Sequence, residues 1–156
     1  MRREIRPDAH IFWGKFQKEG PKSLPLKVHC LDVALTFRAL ARLPGFRRAL
    51  EATADRELKD QDLDRLSVLA MLHDVGKANL GFQMKVLDPK TQGAGHVREL
   101  EAIFSDDELL GRFTTALQWD RVSRWFEEET AADSYFLASW SHHGRPICFQ
   151  NKTTGR

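Results

Sequence analysis

The chain has 156 residues, a length that suits one domain around a single core. Its 42% apolar and 29% charged residues exclude a disordered chain, and no apolar stretch is long enough to span a bilayer. The formal charge of +2 is too small to identify a nucleic-acid partner, and Arg42, Arg47, Arg48, Arg121 and Arg124 read as solvated helix faces.

The charged start MRREIRPD leads into no apolar segment, so no secretory signal is expected. Cys30 and Cys148 lack CxxC spacing and suit a reduced, cytoplasmic setting. Residues 1–22 read as an N-terminal arm, its Phe12-Trp13 pair pinned to the core and His10 without a special role. A first helix should start near Ser23, with Pro25 in its first turn where a missing N–H costs nothing. Its apolar stripe is Leu26, Cys30, Val33, Ala34, Phe37, Leu40 and Ala41, ended by Pro44-Gly45. His29 sits beside that stripe and faces the core edge; Asp32 could orient its ring or pair with a basic neighbour.

A short helix over Phe46 to Arg56 follows, and Asp60 or Asp62 caps a central one. In that helix Leu63, Leu66, Ala70, His73, Asp74 and Lys77 share one face, while Val68, Leu69, Met71 and Leu72 fill the other. It is therefore predicted to be buried all round. A further short helix holds Phe82-Gln83, and Pro89 to Gly95 reads as a loop. His96 should open a helix with the stripe His96, Leu100, Ile103 and Phe104, its N-terminus favoured by Glu99 and Glu101. Ser105-Asp106-Asp107 caps the next helix, with amphipathic stretches over Phe113 to Trp119 and Val122 to Phe126. The last helix, Ala131 to His142, stops at His143-Gly144-Arg145-Pro146. No segment alternates with period two, so an all-α fold is expected.

The stretch Leu66 to Gln83, LSVLAMLHDVGKANLGFQ, ends an apolar helix in His73-Asp74. Burying that pair without partners is costly, and a divalent metal bound by imidazole nitrogen and carboxylate oxygen removes the cost. A single inward histidine is more often a satisfied core residue. Here His29, His73, His96, His142 and His143 all occupy helix ends or inward faces, so the set reads as a metal constellation. Neutral imidazoles and one carboxylate around two divalent ions leave a positive pocket suited to a phosphate. Asp74 is the natural bridge, and two metals about 3.5–4 Å apart can activate water and stabilise both oxygens of an in-line displacement. Lys77 either neutralises charge on the phosphate or completes the helix C-terminus.

These residues resemble the HD superfamily of metal-dependent phosphohydrolases. More closely, they resemble the HD nuclease domain of the type I CRISPR-associated helicase-nuclease. Phe12-Trp13-Gly14-Lys15, Leu24-Pro25-Leu26 leading to His29-Cys30-Leu31-Asp32-Val33-Ala34, and Leu72 to Gln83 carry the likeness. His96 and His142-His143-Gly144-Arg145-Pro146 fall where that family places its later ligands.

The resemblance implies an HD-domain helical bundle over residues 1–156 with a metal site between helix ends. His29, His73 and Asp74 would hold one metal; Asp74 would bridge to a second held by His96, His142 and His143; Lys77 would stand near the scissile phosphate. The implied metals are two divalent transition ions, with Mn, Fe, Ni or Co ahead of Mg and Zn. The implied activity is cleavage of single-stranded DNA in CRISPR interference, an antiviral defence. It implies as partners a superfamily 2 helicase domain or subunit and an RNA-guided surveillance complex, and no membrane. The family's further Asp ligand comes well after the paired histidines, and Asp120 and Asp133 precede them. A truncated fragment, a short stand-alone version or an incomplete first metal site is therefore expected. Two other readings are a phosphohydrolase of small or cyclic nucleotides and a metal-deficient docking module.

Overall fold

The computed structural model describes residues 12–16, 23–87, 90 and 93–141. Helices dominate, and the described strands are two: β1 (Trp13–Phe16) and β2 (Ser23–Pro25). The first four helices are α1 (Leu26–Leu40), α2 (Pro44–Ala54), α3 (Asp60–Met71) and α4 (Leu80–Leu87). After α5 (Glu101–Phe104) come α6 (Asp107–Leu117), α7 (Trp119–Val122) and α8 (Glu129–Trp140). Three 3₁₀ segments, Leu72–Ala78, Arg98–Leu100 and Ser123–Trp125, complete the order.

Helices α1 and α3 form the most extensive helix pair. One buried cluster joins Leu69, Val97, Leu100, Val122, Phe136 and Trp140, and a smaller one joins Ala41, Leu58 and Leu63. The Trp140 indole N–H donates to the Leu72 carbonyl at 3.1 Å, so the end of α8 is pinned where the 3₁₀ segment Leu72–Ala78 begins. Asp106 caps α6 as expected, accepting the N–H groups of Glu108 and Leu109.

Several expectations need correction. The all-α class itself holds, with one small addition: β1 and β2 pair antiparallel over too few residues to give a period-two signal. Trp13 faces Pro25 and Lys15 faces Leu24, leaving Gly14 as the extra residue of a bulge. Pro25 therefore ends a strand, and α1 begins at Leu26. Pro44 does not close the first helix; it is the first residue of α2, where its missing N–H has no helical role. Lys59 rather than an Asp holds the N-cap position of α3, with Asp62 one turn in accepting the Lys59 N–H at 2.8 Å.

The central helix is not continuous, nor is it buried all round. It tightens to 3₁₀ at Leu72, and Val68 is exposed. Leu40 of the predicted α1 stripe is exposed too. His96 lies in a bend ahead of Arg98–Leu100 rather than opening a helix. Glu99 does stand in the first turn of a helical segment, Arg98–Leu100, and its carboxylate also accepts the Gly95 N–H. Trp13 is half-buried, whereas Phe12 is exposed. His10, His142 and His143 lie outside the described residues, as do parts of the Pro89–Gly95 loop.

Candidate metal centre

The 3₁₀ segment Leu72–Ala78 carries the centre. With three residues per turn, positions i and i+3 stand in line, so Asp74 and Lys77 share an edge of the segment. Gly76 and the β-branched Val75 are poor α-helix residues, which favours the tighter winding. Asp74 is buried at 2% exposure, and four cationic or imidazole groups surround it. Its Oδ2 lies 2.8 Å from His29 Nε2, 3.0 Å from His73 Nε2 and 2.6 Å from Lys77 Nζ. Its Oδ1 lies 3.3 Å from His96 Nε2. Burial alone would push the Asp74 carboxyl up. The hydrogen bonds and charges of His73 and Lys77 outweigh it and hold the group far below the ordinary carboxylate range.

The His73 ring is oriented by its other nitrogen. Nδ1 lies 2.9 Å from the Ala70 carbonyl oxygen, which can only accept, so Nδ1 carries a proton. Nε2 then points at Asp74 Oδ2. His29 reaches the same oxygen from α1, and Asp32 is exposed, so the carboxylate on His29 is Asp74.

The strand β1 lies across the centre. The Gly14 carbonyl, turned out by the bulge, accepts from Lys77 Nζ at 3.2 Å. A Cβ on Gly14 would stand 2.7 Å from His29 Cβ, so only glycine lets the strand pass this close to α1. Gln83 is buried and clamps β1 to the segment. Its Oε1 accepts the Trp13 N–H at 2.9 Å, and its Nε2 donates to the carbonyls of Trp13 at 3.1 Å and Lys77 at 2.8 Å. The Trp13 and Phe82 rings pack at 4.7 Å, and Phe82 meets the His96 ring edge-on at 5.1 Å.

Of the predicted site residues, His29, His73, Asp74, Lys77 and His96 are brought together. The sequence does not announce the Gly14 carbonyl, Asn79 or the bond between Glu99 and the Gly95 N–H. Asn79 had one local signal, an Asn directly before a helix, the usual place for a cap.

Comparison with protein-family models matches residues 13–156 to the family described as Cas3, HD domain. The chain belongs to the Cas3 HD-domain family. Comparisons with curated proteins and with solved structures found no match.

Cas3 HD domains are CRISPR-associated, metal-dependent nuclease domains, and HD domains bind divalent metals. The residues of this Cas3 HD-domain chain fit such an ion. One donor atom each from His29, His73 and Asp74 lies within 4.8 Å of the others, and two imidazole nitrogens with a carboxylate oxygen suit a divalent transition metal. Among the described residues, no helix is long and apolar enough to cross a membrane.

Proposed function

We propose that the chain cleaves single-stranded DNA phosphodiester bonds in CRISPR interference, using two divalent transition metals. It would act with a superfamily 2 helicase domain or subunit and an RNA-guided surveillance complex in the cytoplasm. One observation carries the reading. The two oxygens of Asp74 serve different partners, Oδ2 facing His29 and His73 while Oδ1 faces His96. A carboxylate divided this way can bridge two ions.

His29, His73 and Asp74 would hold one metal, and Asp74, His96, His142 and His143 the second. The pinning of α8 at Leu72 supports a role for the pair that follows it. When bound, such ions supply a water activated for attack at neutral pH and charge stabilisation for the phosphodiester oxygens. The protein does the positioning. Ala70 fixes the His73 ring so that Nε2 faces Asp74. Against the effect of burial, His73 and the Lys77 ammonium keep Asp74 ionised, and their hydrogen bonds hold it in place. Lys77 is tied to Asp74 and the Gly14 carbonyl, so its charge reaches a phosphate as part of the centre and not as a free arm.

The test is incubation of the protein with circular single-stranded DNA and Mn²⁺, with mononucleotides and cyclic nucleotides in parallel. Nicking of the circle supports the proposal. Turnover of nucleotides without nicking replaces it with a small-nucleotide phosphohydrolase. Failure to bind any transition metal after anaerobic reconstitution leaves a docking module.

A further inference from the structure

His96 poses a problem of support. His29 is carried by a helix and His73 and Asp74 by a 3₁₀ segment, whereas His96 sits in a bend. Its ring nevertheless comes within 3.3 Å of Asp74. A side chain on irregular backbone needs its backbone held before its ring can be placed.

The backbone on either side of His96 is held at two points. At the first, the chain lies directly on the 3₁₀ segment. A Cβ on Gly76 would stand 2.8 Å from the His96 carbonyl carbon and closer still to its oxygen. At the second, Asn79 spans the gap. Its Nδ2 donates to the Gly76 carbonyl at 2.7 Å and to the Gly95 carbonyl at 2.9 Å, while its Oδ1 accepts the Phe82 N–H at 2.7 Å. Both amide protons and the oxygen are thus used. The oxygen caps α4, and the two protons tie the residue before His96 to the segment bearing Asp74. Glu99 secures the same turn from the other side through the Gly95 N–H.

We propose that Asn79 is a positioning residue for His96, its carboxamide bridging the Gly76 and Gly95 carbonyls and so setting the distance from the His96 ring to Asp74. The proposal rests on reading His96 as a metal ligand, and it assigns to Asn79 a role distinct from capping. An Asn is required here because a single group must accept from one N–H and donate to two carbonyls.

Asn79→Asp separates the two roles. The variant keeps the capping oxygen and the shape but loses both donors, and it sets a carboxylate against two carbonyl oxygens. Amide hydrogen exchange in the metal-free protein reads the loop directly, and Co²⁺ titration followed by its visible absorption reads the centre. The expected result is Gly95 and His96 amides exchanging at least about tenfold faster, with α6 amides unchanged. Co²⁺ affinity should fall about 10- to 100-fold, the usual effect of losing a group that orients a metal ligand. Wild-type exchange at Gly95 and His96 together with wild-type Co²⁺ binding would overturn the proposal. Asn79→Ser repeats the test should the Asp variant not fold, since serine caps a helix but is too short to reach Gly95. If the unaltered protein binds no Co²⁺, the metal reading fails, and the exchange data still decide whether Asn79 holds the His96 turn.

Discussion

Lys77 Nζ stands 2.6 Å from Asp74 Oδ2 and 3.2 Å from the Gly14 carbonyl oxygen, so the lysine of the Gly-Lys motif is the built-in counter-ion of the buried carboxylate. Removing one partner of a buried pair leaves an uncompensated charge. Lys77→Ala should therefore destabilise the metal-free protein by about 3 kcal/mol. The loss should shrink when Mn²⁺ is present, because the metal supplies positive charge at the same oxygen. Urea unfolding with and without Mn²⁺ measures both, and equal losses in the two conditions would show that metal and lysine do not share Asp74.

Asp74→Asn keeps the shape of the side chain and removes the charge. Metal affinity should fall by more than the roughly 100-fold that marks the upper range for outer-shell changes. DNA cleavage should be lost with the helix content intact by far-ultraviolet circular dichroism. A variant that still nicks circular single-stranded DNA removes Asp74 from the centre.

Metal binding should release protons. An imidazole nitrogen must be free of its proton to hold a metal, so protons compete with the ion for the His29 and His73 rings. Affinity should accordingly weaken as the buffer is made more acidic. Calorimetric titration in buffers of different ionisation enthalpy checks this, and a binding heat independent of buffer would contradict it.

Asp62 gives the fold its own acid dependence, away from the centre. Its carboxylate accepts from the Arg56 guanidinium and the Lys59 N–H, which together hold its pKa down at about 2. A depressed carboxyl pKa stabilises the folded state above the ordinary value near 4, and the contribution drains away as the pH falls from there toward 2. Asp62→Asn should be less stable than the parent at pH 6, with the gap closing toward pH 2. Thermal unfolding across that range reads it; a gap constant with pH would rule the linkage out.

The residue types of the centre were legible because ligand chemistry is local information. His29, His73, Asp74 and His96 stand out as imidazoles and a carboxylate where packing alone would favour apolar side chains. The same holds for α6, since Asp106 announces its own cap by sitting before an apolar run. The tightening at Leu72 was hidden: a 3₁₀ turn and an α turn place the same residues within a few positions of each other, and only the i to i+3 alignment of Asp74 with Lys77 separates them.

What the sequence alone determined was the helical class, the family resemblance and the presence of the imidazoles, carboxylate and lysine that meet at Asp74. What the tertiary structure decided was how those donors are held: the bulge that turns the Gly14 carbonyl to Lys77, Gln83 reaching Trp13 seventy residues away, and Asn79 joining Gly76 to Gly95. The reason is physical. Side-chain chemistry belongs to each residue, whereas a hydrogen bond between distant backbone segments exists only once packing has brought them together, and no periodicity along the chain records it.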